Sequence, residues 1–226
     1  MKKPVVDYRN FRFSKITSPE YSHLLLLSGW IVYFALYFLT ENLIPAESCY
    51  PVHCFLDDII PFCEYFIIPY FGWYLLIVFS LGYFLLYDVE SFKKLQIFIM
   101  ITQGLAMAAY ILFPTRQDLR PEFFERENIF TALTGMLYSL DTNTGVCPSL
   151  HVAYSIGIAS VWLKYKPAAR WFKALIIFFV AMICLSTMFL KQHSAVDFFA
   201  ALPVCLFAEI VLYKDYWKES KLFKKR

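Results

Sequence analysis

Charge is scarce in this chain. Only 17% of its 226 residues are Asp, Glu, Lys or Arg, where soluble domains carry about a quarter. That shortfall excludes an ordinary soluble domain. Other features are missing as well. No CxxC pair or His/Cys spacing suggests a zinc site, so no metal and no cofactor are expected. There is no internal repeat and no low-complexity tract. The first twenty-odd residues, MKKPVVDYRNFRFSKITSPEYSH, are polar and basic. They lack the short apolar core and small-residue cleavage site of a secretory signal, so the first apolar run is expected to be retained.

What the chain has in abundance is apolar surface. Hydrophobic residues make up 59% and aromatics 20%, and the mean hydropathy is +0.53. This composition describes one integral membrane domain over 1–226. A membrane helix needs about 20 mostly apolar residues. Six segments qualify: 23–44, 66–87, 95–113, 149–164, 172–190 and 194–213. Pro69 and Pro203 fall inside two of them, and lipid-embedded helices tolerate proline. The expected fold is all-α, a six-helix transmembrane bundle. Between the third and fourth spans, NIFTALTGMLYSL has helical apolar spacing and is expected to form a short interfacial helix.

Seventeen of the 21 Lys and Arg residues lie in the N-terminal segment 1–22, in the loops after the second and fourth spans, and in the tail 214–226. The positive-inside rule then puts both termini in the cytoplasm. The opposite loops carry Cys49, Cys54, Cys63 and Cys147, where disulfides can form. A Cys49–Cys54 bond, a Cys49–Cys63 bond and free thiols all fit. Cys184 and Cys205 sit within spans as packing residues. The outer loop between the third and fourth spans is about 35 residues long, a length that in compact proteins marks function or disorder.

Three polar clusters interrupt the apolar pattern: FPTRQDLRP at 113–121, CPSLH at 147–151 and KQHSAVD at 191–197. Ionisable groups at membrane depth are costly and invite a functional reading. The six-span topology brings all three to the outer face. His193 and Asp197 are four residues apart and share a helix face, so the carboxylate can fix one imidazole nitrogen and leave the other basic. Ser149 and His151 open a helix, where backbone amides bind anions. Arg116 and Arg120 suit phosphate oxygens. Each cluster alone also fits a plainer role: a polar pair at a helix start, a serine cap, a charged loop. His23 and His53 are read as interfacial and loop residues. Together the clusters suit metal-free phosphoryl transfer, with cations holding the anion, one imidazole attacking and the other protonating the departing oxygen.

These residues resemble the three motifs of the type 2 phosphatidic acid phosphatase superfamily. That family has a lysine followed after six residues by Arg-Pro, then Pro-Ser-x-His, then Ser-Arg, five residues, His, three residues and Asp. Here Arg120-Pro121 ends the first, Pro148-Ser149-Leu150-His151 forms the second, and Ser186, His193 and Asp197 match the third. The resemblance covers about residues 60–213. Phe113 stands at the lysine position, Thr187 at the arginine position and Leu150 at the usual glycine, features similar to the inositol phosphorylceramide synthase-like branch. The resemblance implies that His193 attacks phosphorus, Asp197 orients it and His151 protonates the leaving alcohol. Arg120, Ser149 and Ser186, with Arg116 and Lys191 as substitutes for the missing cations, would hold phosphate oxygens. It implies a lipid phosphate monoester or pyrophosphate as substrate, membrane lipids and no nucleic acid as partners, and a plasma-membrane enzyme with its site facing out. A phosphotransferase using a lipid hydroxyl in place of water, and a non-catalytic protein of the same fold, are the alternatives.

The topology has a direct check. With Cys49, Cys54, Cys63 and Cys147 replaced, an Asp118→Cys variant is expected to react with a membrane-impermeant thiol reagent on intact cells. Labelling only after lysis would invert the orientation.

Overall fold

In the computed structural model, residues 3–219 are described; the basic residues at 220–226 lie outside them. Eight α-helices dominate: α1 Ser28–Leu43, α2 Phe55–Ile59, α3 Ile67–Tyr87, α4 Val89–Leu112, α5 Ile129–Leu140, α6 Leu150–Lys164, α7 Arg170–Phe189 and α8 Ala195–Glu219. A 3₁₀ segment, Ser22–Leu27, leads into α1. The all-α expectation needs one addition. Two short strands, β1 Tyr50–Pro51 and β2 Thr115–Arg116, pair in parallel and join the loop after α1 to the loop after α4.

Helix boundaries follow local capping. Asp88 ends α3 and starts α4, its carboxylate accepting from the Ser91 amide and hydroxyl. This explains why α4 begins ahead of the apolar run at 95: capping, not hydropathy, sets the first turn. In α5, Asn128 Oδ1 accepts from the Phe130 and Thr131 amides, while the Thr131 hydroxyl accepts from the Asn128 amide. A helix therefore forms where apolar spacing predicts one.

Five helical segments are long and apolar enough to cross a membrane: Ser22–Leu43, Glu64–Tyr87, Val89–Leu112, Arg170–Phe189 and Ala195–Lys214. The count expected from hydropathy was six. The difference is α6, which has only 15 residues, or about 22 Å at 1.5 Å per residue, against a hydrocarbon core of about 30 Å. Nine residues of α6 are buried, including Tyr154, Gly157, Ile158 and Trp162. α3, α4, α7 and α8 all pack against it, so α6 is the central strut and its ends meet protein. By contrast, α1 has no buried residue and lies at the edge against α4.

The core is aromatic and tightly fitted. Phe84, Phe92, Phe98 and Tyr154 are almost wholly buried, and the Trp162 indole donates to the Ser80 hydroxyl at 3.0 Å. At the end of α6 opposite its start, Lys164 pairs with Glu209 at 2.5 Å, so both charges are compensated. All six cysteines are free thiols, and Cys184 and Cys205 are buried packing residues. α4 and α6 approach closely at Gly157, where a Cβ would fall 2.5 Å from Phe98 Cδ1.

A Gly157→Ala substitution is therefore expected to force Phe98 from its place and to cost about 1–3 kcal/mol, the usual penalty of overpacking. Thermal unfolding in detergent measures it, and an unchanged unfolding temperature would refute this account of the α4–α6 contact.

Candidate active site

The polar centre forms where the starts of α6 and α8 meet. After α7 the chain reverses through Leu190 and Lys191. Lys191 adopts a left-handed conformation, with φ of 53°. The amides of Gln192 and His193 both donate to the Thr187 carbonyl at 3.0 Å. This turn delivers His193 just ahead of α8. Asp197, in the first turn of α8, is fully buried, and its Oδ2 lies 3.1 Å from His193 Nδ1 and accepts from the Ser194 amide at 3.0 Å. The Ser149 amide donates to the Asp197 carbonyl at 3.1 Å, which ties the start of α6 to the same turn.

His151, the second residue of α6, then meets His193: His151 Nδ1 lies 3.4 Å from His193 Nε2. The His151 ring is packed against Tyr70 and Trp73, with centroids 4.6 and 4.1 Å away. For a neutral His193 the network fixes the tautomers. With its Nδ1 proton donated to Asp197, His193 carries a free lone pair on Nε2. His151 must then supply the proton of the contact from its own Nδ1. The result is a carboxylate–imidazole–imidazole chain with a basic nitrogen and an acidic N–H side by side.

Arg120 lies next to this chain. It donates to the carbonyls of Tyr138, Asp141 and Thr142 and to Gln192 Oε1 at 2.7 Å, and it stacks on the Tyr138 ring. Two buried donors remain unpartnered here, Gln192 Nε2 and Arg120 Nε. Buried donors normally find an acceptor, so this corner is short of one.

The side chains of the other residues expected at the site are engaged in other contacts. Arg116 binds Asp118 and the carbonyls of Ala46 and Cys49. Lys191 donates to the carbonyls of Asp57 and Ile60. Both cations anchor the loop after α1, because main-chain carbonyls of that loop outcompete an open cavity for their protons. Ser186 bonds to the Ile183 carbonyl within its own helix, and Ser149 caps α6 by accepting from the Val152 amide. Phe113 is exposed and far from a cationic role.

Three contributors were not singled out from the sequence. Gln192 was quoted beside His193 but given no role. Asp57 accepts from the Ser194 hydroxyl at 2.5 Å and from the amides of Ala195 and Cys54 at 2.8 Å. Burial would raise its carboxyl, but these hydrogen bonds prevail and hold it below the usual carboxylate range. It serves as the N-terminal cap of α8, contributed from α2, more than a hundred residues earlier. Asp141, at the end of α5, lines the cavity described next.

That cavity, of about 450 Å³, opens from the histidine pair along α1 and α3. Its walls include Trp30, Tyr33, Tyr37, Trp73, Tyr74 and Leu81, with Asp141, Thr142, Gln192, His151 and His193 at the polar end. Trp73 to Leu81 covers about 12 Å along α3. No lysine or arginine is among the lining residues. Among the described residues, no three His, Cys, Asp or Glu side chains gather into a metal-binding group.

The family model described as the PAP2 superfamily matches residues 92–221, which takes in α4 to α8 and every histidine of the polar centre. No curated protein and no solved structure gives a match.

The cap from Asp57 can be tested without any assay of turnover. Asp57→Ala leaves three donors without an acceptor, a loss of about 1–3 kcal/mol, and hydrogen exchange at 194–197 is expected to quicken. Asp58→Ala, whose carboxylate meets only exposed His53, is expected to leave that segment unchanged. Equal protection in both variants would refute the cap.

Proposed function

The chain belongs to the PAP2 superfamily, and on that footing we propose that it is a membrane-embedded lipid phosphatase acting through a phosphohistidine. The observation that carries the reading is the Asp197–His193–His151 chain, beside two buried donors that lack an acceptor. A lipid phosphate enters with its tail along α1 and α3 and its phosphoryl group at the polar end. The phosphate replaces the imidazole–imidazole contact. His193 Nε2 attacks phosphorus and the phosphorus–oxygen bond to the lipid breaks, with the departing oxygen taking the Nδ1 proton of His151, which meets the substrate as its imidazolium and is left as the neutral imidazole. Asp197 holds the Nδ1 proton of His193 and stabilises the cation that forms. Water then gives a proton to His151 and attacks the phosphohistidine, which releases phosphate and restores both rings. Gln192 Nε2 and Arg120 Nε, the two buried donors without an acceptor, supply hydrogen bonds to the phosphoryl oxygens.

In this reading α6 serves as a sixth span, its short length made good by the surrounding helices, and α5 rests at the membrane interface. Both termini face the cytoplasm and the site faces out from the cell membrane. No metal ion takes part.

A second reading, transfer to a lipid hydroxyl as in inositol phosphorylceramide synthases, draws support from the cavity walls. They carry no lysine or arginine, and a phosphodiester donor brings one negative charge where a monoester brings nearly two. Free phosphate released without an added alcohol favours hydrolysis; a strict need for the alcohol favours transfer.

His193→Ala is expected to abolish turnover across a panel of lipid phosphates, and Asp197→Asn to lower it by about a hundredfold or more. Wild type is expected to yield an acid-labile, base-stable phosphoenzyme that His193→Ala lacks, and to keep its activity in EDTA. Equal turnover by wild type and His193→Ala, or none by either, would end the enzymatic reading.

A further inference from the structure

The charge balance of the cavity is unusual for a site that receives phosphate. Its walls hold two imidazoles and one carboxylate, Asp141, and no lysine or arginine. Among the described residues, no cation forms an ion pair with Asp141. Its carboxylate has one hydrogen bond, a long one of 3.5 Å from the Tyr37 hydroxyl. Arg120 turns its N–H groups to the Asp141 carbonyl and not to the carboxylate. Burial holds the Asp141 carboxyl above its usual range, against the opposing pull of His193 and Arg120. An anionic side chain here repels a phosphate dianion, so the cavity as built works against a substrate that is only anionic.

Its surroundings suit the opposite charge. Tyr33, Tyr37, Trp73, Tyr74 and Tyr110 line the same space, and aromatic faces attract ammonium groups. A carboxylate within an aromatic enclosure, with Arg120 turned to its main-chain carbonyl and no cation in direct contact with its oxygens among the described residues, is a receptor for a positive ligand group. From this juxtaposition we propose that Asp141 and the surrounding aromatic rings form a subsite for an ammonium group carried by the lipid substrate itself, close to its phosphate. The substrate class is thus a zwitterionic lipid phosphate. The substrate brings the positive charge that the walls lack, which lowers the cost of placing phosphate next to Asp141. The inference rests on the lipid phosphate reading above and specifies its headgroup chemistry.

The ammonium could belong to the lipid backbone of a phosphate monoester or to the second alcohol of a phosphodiester, and two lipid pairs separate these sources. The first pair is a long-chain alkyl phosphate and the same molecule with an amine on the carbon beside the phosphate-bearing one. The second is an alkyl phosphodiester of ethanolamine and its ethylene glycol counterpart. Binding is measured by tryptophan fluorescence on the full chain in nanodiscs, in a His193→Ala background so that nothing is consumed. In at least one pair the amine-bearing member is expected to bind about tenfold more tightly. Adding Asp141→Asn, which keeps the size and the Tyr37 contact, is expected to bring that ratio close to one. The pair that responds identifies the source. Ratios near one in both pairs, or a preference that survives Asp141→Asn, would overturn the proposal. Phosphate release from either member of the first pair by protein with His193 intact tests the phosphatase reading separately, so either idea can fail while the other stands.

Discussion

The amide of Ser149 reaches the carbonyl of Asp197, and this bond between the starts of α6 and α8 is the constraint on which the polar centre depends. It places the second residue of one helix beside the residue that precedes the other. Two imidazoles 42 positions apart in sequence thereby come within 3.4 Å. Asp197 serves twice: its main chain ties the helices together and its side chain orients His193. Asp57 reinforces the arrangement from outside by capping the same turn. A network of this kind is rigid because its buried members share partners, so moving one displaces the others.

The cations show how the fold redistributes charge. Arg116 and Lys191 hold the loop after α1 by its carbonyls, and Arg120 holds the carbonyls around the end of α5. Their common task is to hold main-chain carbonyls outside the cavity lining or at its rim. The walls are left aromatic, with a single carboxylate. This distribution favours a ligand that carries its own positive charge or little negative charge.

The family match begins within α4, so α1 and α3, which form much of the cavity wall, lie outside it. The part of the molecule that the family describes holds the histidines. The part it does not describe adds Trp30, Tyr33, Tyr37, Trp73, Tyr74 and Leu81 to a cavity wall that the matched part shares through Tyr110, Asp141 and Tyr154. α1 is attached at the edge by a few polar ties: Trp30 to Gln96, Tyr37 to Asp141, and Glu41 to Thr142 and Thr144. The histidine pair and much of the aromatic cavity wall thus come from different segments of one chain.

Membrane helices were legible in the sequence because hydropathy is a property of consecutive residues. The His193–Asp197 pairing was legible from its spacing, but its cause differs: His193 lies in the turn ahead of α8, and that turn, not a shared helix face, brings its ring to the carboxylate. The capped start of α5 and the wealth of buried aromatics also follow from local composition. The segment at 149–164 was already short in the sequence; that α6 is buried on several sides was not legible, because its burial depends on the helices around it. Nor could the sequence assign Arg116 and Lys191 to carbonyls 67 to 134 residues away, or bring Asp57 to the start of α8 and Asp141 to the cavity. Those outcomes belong to tertiary structure alone: a side chain's partner is whichever group lies within about 3 Å, and distance along the chain says nothing about that.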